Sequence, residues 1–132
     1  MKILIAGLGS IGRRHLRNLV ALGERDLVLL RSQKSTLPDD ELAGFPVEAD
    51  LKTALDAHRP DAVIVATPTA LHLDVAIPAA RAGCHILLEK PVSNSIEGLA
   101  ELGQTAAQSG SRILVGFQFR YHPTLQRAHQ LI

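Results

Sequence analysis

Residues Lys2 to Ala6 form an apolar run of strand type, which leads directly into Gly7-Leu8-Gly9-Ser10-Ile11-Gly12. A helical pattern follows at once, from about Ile11 to Leu22, with Ile11, His15, Leu19 and Leu22 on one stripe and Gly23 as the stop. In this strand–turn–helix context a Gly-x-Gly-x-x-Gly spacing marks a dinucleotide site. Gly7 permits the tight turn out of the strand. Gly9 has no Cβ, so a pyrophosphate can approach the backbone. Gly12 lets the helix pack close to the strand. The first N–H groups of the helix, around Ser10 and Ile11, then face the phosphates, helped by the positive end of the helix dipole. The plain alternative is an ordinary strand–helix turn.

The rest of the chain alternates in the same way. Strands are expected over Asp26–Arg31, Pro46–Glu48, Ala62–Ala66, His85–Leu88 and Arg112–Val115. Ala62–Ala66 is unbroken apolar sequence and reads as a strand buried on both faces. Ser32–Phe45 is polar, with Pro38, Asp39 and Asp40, and reads as a loop with room for one helical turn. Asp50 is expected to cap a short helix that ends before Pro60. A helix from about Ala70 to Ala82, capped by Thr69 and stopped by Gly83, contains Pro78, which should kink it or remove one hydrogen bond. Asn94 with Glu97 resembles a capping box opening a helix whose face is Ile96, Leu99, Gly103, Ala106 and Ala107. Strands alternating with helices imply an α/β doubly wound parallel sheet.

Composition narrows the partners. The chain of 132 residues has the length of one domain, and its formal net charge of +1 implies no bulk attraction to nucleic acid or anionic membrane. Aromatic residues make up only 3%, which gives little stacking surface for single strands. Cys84 is the only cysteine, so no internal disulfide forms and a reducing cytoplasm is the expected location. Its place at a strand start favours a core thiol. No stretch has the length of a membrane span, and the histidines show no metal-ligand spacing, so no metal is expected.

The candidate site residues gather after strands. Arg31-Ser32-Gln33-Lys34 stands where an NAD site usually carries an acid for the ribose hydroxyls. A guanidinium and a hydroxyl suit a 2′-phosphate, so NADP is preferred over NAD. Arg13 and Arg14 are read as exposed charge or as phosphate contacts. Thr67-Pro68 forms a floor beside the cofactor, with His72 either near it or on the helix surface. In Glu89-Lys90-Pro91, Lys90 is a candidate acid–base group for a substrate oxygen, and Pro91 a candidate cis bond. Arg120, in the aromatic stretch Gly116 to Pro123, could fix a cofactor amide or a substrate oxygen. Tyr121–Ile132 shows helical spacing at Leu125, Ala128, Leu131 and Ile132. It is read as the start of a connection to a further domain or as a helix packing back on this one.

Together these segments resemble the N-terminal, Rossmann-type domain of the Gfo/Idh/MocA oxidoreductases, over nearly the whole chain. The resemblance rests on Gly7-x-Gly9-x-x-Gly12-x-x-His15, Pro60-Asp61-Ala62-Val63, Thr67-Pro68 with His72, Ala82-Gly83-x-His85, Glu89-Lys90-Pro91 and Arg120 to Pro123. It implies hydride transfer between NAD(P) and a hydroxyl or carbonyl of a sugar, inositol or related polyol, with Lys90 aiding proton transfer and Pro91 cis. It also implies cofactor contacts at Gly7, Gly9, Gly12, Thr67, Pro68, His72 and Glu89, and Arg120 near the nicotinamide. The departures are Arg31 in place of an acid, Thr69 in place of a common Asn, and Pro78 in a normally straight helix.

The expected organisation is a dinucleotide-binding domain over residues 1–120, with residues 121–132 leading to a C-terminal α+β substrate domain missing from this chain. Such a fragment binds cofactor but is inactive alone; the full-length protein is expected to be a homo-oligomer. The alternative is a non-catalytic nucleotide sensor or partner module, which needs the glycine turn but not Lys90.

Overall fold

The structure is a computed structural model of the chain and describes residues 1–32 and 40–132. Gln33 and Lys34, grouped above with Arg31, lie outside the described residues. Six strands form one parallel sheet: β1 (Ile3–Ala6), β2 (Leu27–Leu30), β3 (Val47–Glu48), β4 (Ala62–Val65), β5 (His85–Leu88) and β6 (Ile113–Val115). Their order is β3-β2-β1-β4-β5-β6. Helices α1 (Ser10–Ala21), α2 (Leu51–His58), α3 (His72–Arg81), α4 (Leu99–Ser109) and α5 (Pro123–Gln130) connect or follow them. The order runs outward in one direction from β1 through β3, then outward in the other from β4. The switch point between β1 and β4 is where open α/β sheets bind ligands.

Strand alternation divides the core into two layers. Leu4, Ala6, Val28, Leu30, Val63, Val65, Ile86 and Leu88 face α2, α3 and α4, meeting Ala54, Val75, Ala79 and Leu102 among others. Ile3, Ile5, Leu27, Leu29 and Ile64 face the other way, against Leu16 of α1 and Leu42 of a 3₁₀ turn. Cys84 is buried beside the first layer, with its Sγ 3.1 Å from the Pro60 carbonyl. Burial, and secondarily the charge of Asp61, pushes its thiol pKa up.

Four local expectations fail for identifiable reasons. The inward face of α1 is Gly12, Arg13 and Leu16, while Ile11 is 39% exposed and Leu22 80% exposed. Gly12 must face the sheet, because a Cβ there would lie 1.8 Å from the Gly7 carbonyl oxygen. That requirement turns the helix away from the predicted stripe. Arg13 is correspondingly not surface charge. It is 5% exposed, and its Nε donates to the Leu8 carbonyl at 3.1 Å.

Helix α4 begins at Leu99, not at Asn94, and its buried residues are Leu102 and Ala106. Gly98 opens it in the left-handed conformation, φ 77°, leaving Ile96 87% exposed. Thr69 does not cap α3: it sits in a 3₁₀ turn, Thr69–Leu71, that makes no side-chain cap bond. The turn is closed by the Leu71 N–H donating to the Pro68 carbonyl at 2.8 Å.

Other expectations hold. Pro78 lies inside α3 with Ala79 and Ala80 fully buried beside it. The hydrogen bond it cannot donate would have gone to the carbonyl of Asp74, an exposed residue that water can reach. Asp50 caps α2 by accepting from the Thr53 N–H at 2.8 Å. Hydrogen bonds from Thr53, the backbone one foremost, hold the Asp50 carboxyl below the usual carboxylate range. The cap is therefore intact at neutral pH and is lost only when acid protonates the carboxyl. Helix α5 is exposed along its whole length and does not pack back on the sheet.

The layer assignment predicts an asymmetry in stability. Ile5 and Leu88 are both 0% exposed, whereas Leu114 is 60% exposed. Ile5→Ala or Leu88→Ala should each cost about 2–5 kcal/mol in urea denaturation, and Leu114→Ala no more than about 0.5 kcal/mol. Equal losses at all of these positions would contradict the assignment. Cys84 should react with thiol reagents only on unfolding.

Candidate functional site

The carboxyl ends of β1 and β4 open on one trough, formed by two adjoining cavities. The first, about 620 Å³, lies between the glycine turn, Leu30-Arg31-Ser32 and Ala66-Thr67-Pro68. The second, about 380 Å³, lies between Arg14, His15, Asn18, His72, Glu89, Lys90 and Gln118. Ile11, Ala66, Thr67 and Pro68 border both. A larger cavity, about 690 Å³, opens at the opposite edge of the sheet around Pro60, Cys84 and His85. It lies on the amino side of the strands, away from the switch point.

The glycine turn is held by close approach. Gly7 has φ 93°, and a Cβ on it would lie 2.6 Å from the Ala66 carbonyl oxygen. Gly9 meets nothing within 4 Å: the space beside it is open. Gly9 is also the N-cap of α1 and offers no side chain to the first amides, and the first turn carries no acid. Helix α2, by contrast, spends the acceptor of Asp50 on its own first turn. The α1 terminus thus keeps donors for an anion from outside.

Thr67 supplies a second mark. Its Oγ1 is buried and makes no hydrogen bond among the described residues. A buried hydroxyl without a partner is costly unless a ligand supplies one. Arg31 borders the first cavity half-buried, with its backbone N–H donating to the Glu48 carbonyl at 2.9 Å; Ser32 beside it is exposed.

In the second cavity, His15 Nε2 of α1 lies 2.8 Å from Glu89 Oε1. Gly116 leaves room for this pair, since a Cβ there would stand 3.3 Å from Glu89 Oε2. Lys90 is exposed and makes no ion pair among the described residues; the Lys90–Pro91 bond is cis, as expected. His72 is 2% exposed, with its ring nitrogens 2.9 Å from the Thr67 and Pro91 carbonyl oxygens. It borders the cavity but spends its polar atoms on the backbone of two loops.

Arg120 is not brought into the trough. It sits in the exposed 3₁₀ turn Gln118–Tyr121, and Gln118 of that turn borders the second cavity instead. Sequence reasoning missed Gln118 and Asn18. The signal for Asn18 was available: once Gly12 must face the sheet, Ile11, Arg14, His15 and Asn18 share the adjoining helix face.

Among the described residues, no helix is long and apolar enough to cross a membrane, and no cluster of His, Cys, Asp and Glu could hold a metal ion.

Residues 1–117 match the sequence model of the Gfo/Idh/MocA oxidoreductase family, NAD-binding Rossmann fold. The chain belongs to this family. It is 30% identical over 135 residues to a 4-carboxy-2-hydroxymuconate-6-semialdehyde dehydrogenase of a Sphingobium species, covering 100% of this chain and 43% of that protein. It is 30% identical over 132 residues to D-xylose 1-dehydrogenase (NADP(+)) 2 of Haloferax volcanii, covering 97% of this chain and 40% of that protein. Its fold is similar to the WlbA dehydrogenase of Chromobacterium violaceum solved with NADH and UDP-GlcNAcA, with TM-score 0.86 and 28% identity. That likeness covers 96% of this chain and 37% of the other. The chain therefore spans well under half the length of these relatives.

The glycines separate folding from binding. Gly12→Ala should cost about 3 kcal/mol or more, because a backbone carbonyl cannot move aside. Gly9→Ala should leave the melting temperature within about 2 °C yet weaken NADH binding about tenfold or more, by filling the open space. A Gly12→Ala protein as stable as the parent would refute the close approach.

Proposed function

We propose that this chain is the cofactor-binding part of an NAD(P)-dependent oxidoreductase. The whole protein would act on a hydroxyl or carbonyl of a sugar, inositol or related polyol. The observation that carries this reading is the orphan Thr67 hydroxyl, midway along a trough running from Arg31, past the free amides of α1, to the ammonium of Lys90. Such a trough suits an elongated ligand with an anionic middle.

The residues divide the work by position. Gly7, Gly9, Ser10, Ile11 and Gly12 would cradle the pyrophosphate on backbone donors. Thr67 and Pro68 would floor the middle, with the Thr67 hydroxyl bonded to the ligand. Arg31 and Ser32 would take the adenosine end. A guanidinium there favours a 2′-phosphate, and NADP is the cofactor this arrangement prefers. NADP(+) in the name of the Haloferax relative and NADH in the WlbA complex show that relatives use both forms.

When bound, the nicotinamide would give or accept a hydride at the Lys90 end. Glu89, anchored on His15, would fix the start of the Lys90 turn. Lys90 would hold or donate a proton at the substrate oxygen. The open trough and the exposed Lys90 support cofactor binding by this chain without efficient turnover alone, because water is not excluded.

Fluorescence titration tests the reading. The chain should bind NADPH more tightly than NADH by about tenfold, and Arg31→Asp should reverse the order. Tighter NADH binding by the parent chain would overturn the NADP assignment, and no binding of either would overturn the site. Lys90→Ala should leave cofactor affinity within about threefold. In a whole protein it should lower kcat by about 10²–10⁴-fold. Loss of affinity without loss of kcat would count against a catalytic Lys90.

A further inference from the structure

Two charged or polar side chains are buried among the described residues: Arg13 and His72. Arg13 Nε donates to a carbonyl of the glycine turn. His72 presents a different problem. Its Nδ1 is 2.9 Å from the Pro91 carbonyl oxygen and its Nε2 is 2.9 Å from the Thr67 carbonyl oxygen. Carbonyl oxygens only accept. A neutral imidazole has one N–H and one lone pair, so it can satisfy one of these carbonyls and must turn a lone pair on the other. A ring 2% exposed has almost no water to relieve that contact. Both contacts are hydrogen bonds only when both ring nitrogens carry hydrogen.

We propose that His72 is a positioning residue that works as an imidazolium, tying the Thr67–Pro68 turn to the Lys90–Pro91 turn under the ligand trough. The backbone cannot do this. The last rung between the two segments is the Glu89 N–H donating to the Val65 carbonyl at 3.1 Å. Beyond it the two loops leave the sheet, and the imidazole bridges them. One loop carries the orphan Thr67 hydroxyl; the other carries Lys90. A charged donor makes both bonds stronger than a neutral one would. It also places buried positive charge beneath a site suited to an anion.

The neighbouring charges are Arg14 and His15 from α1, Glu89 and Lys90 from the end of β5, and Asp74 from α3 itself. The segment after β4 brings only Thr67, Pro68 and Thr69, none of which titrates. Protonation closes both turns, so ligand affinity should fall as pH rises. The functional part of this inference rests on the proposed cofactor site; the protonation of the ring does not.

Two measurements test it. Long-range ¹H–¹⁵N spectra of the ligand-free, labelled protein at neutral pH should show both His72 ring nitrogens protonated alike. A widely split pair, as in a neutral tautomer, would overturn the proposal. Through-space contacts to Thr67 and Pro91 assign the ring without any variant. NADH titrations, carried from the pH of those spectra up to the pH at which the spectra show the ring losing its second proton, supply the second readout.

The parent protein should bind less tightly as pH rises. His72→Gln, whose amide donates without charge, should bind about tenfold more weakly at the acid end, the scale of one lost charge-assisted hydrogen bond, with a flat profile. His15→Gln should keep the slope. A slope that survives in His72→Gln would overturn the proposal. A doubly protonated ring in a protein that binds no NADH at any pH would support the tie and count against the cofactor reading instead.

Discussion

The fold turns on the approach of α1 to the first strand at Gly12. With 1.8 Å between the place of a Cβ and the Gly7 carbonyl oxygen, no other residue can stand there. This contact sets the rotation of α1 and its distance from the sheet. The rotation sends Gly12 and Leu16 inward and turns Ile11, Arg14, His15 and Asn18 toward the trough. The distance places the free amides of the helix beside the switch point between β1 and β4. The packing of α1 and the residues it lends to the trough thus follow from one backbone contact.

Much of this was legible in the residues because each element carries its own local signal. The strands are apolar runs between turns, Asp50 is a cap that binds its own helix, and Gly7 to Gly12 is a spacing with one mechanical meaning. The errors come where a distant contact outranks a local pattern. The stripe of Ile11, Leu19 and Leu22 is a reasonable helix face, but the close contact at Gly12 overrides it. Asn94 and Glu97 are a fair capping pair, but Gly98 packs its backbone under Leu73, 3.0 Å from Leu73 Cδ1 to the place of a Cβ, and the helix starts there. Arg13 reads as surface charge until its buried guanidinium is seen to donate to the Leu8 carbonyl.

The trough was harder to read than the fold, because its members converge from the segments after all six strands. Gln118 and Arg120 share one turn, and only backbone geometry decides that Gln118 borders the cavity. Glu89 and His15 are far apart in the chain, and no periodicity links them. What joins them is that α1 starts and β5 ends at the same edge of the sheet, with Gly116 leaving the space their 2.8 Å contact needs.

Polar groups at this edge are met in an order that explains why the ligand site lies where it does. The ladder continues one residue beyond five of the six strands: Gly7 donates to Leu30, Arg31 to Glu48, Ala66 to Ala6, Glu89 to Val65 and Gly116 to Leu88. Past those rungs the loops diverge and backbone pairing ends. Side chains then take over, His72 for two carbonyls and His15 for the Glu89 carboxylate. Two sets of groups stay open in the same trough: the amides at the start of α1 and the Thr67 hydroxyl. A sheet that pairs its backbone so far into the loops, and buries one hydroxyl without a partner, leaves an opening of defined chemistry. On the proposed reading, that opening takes a ligand which accepts hydrogen bonds at its centre and reaches Arg31 at one end and Lys90 at the other.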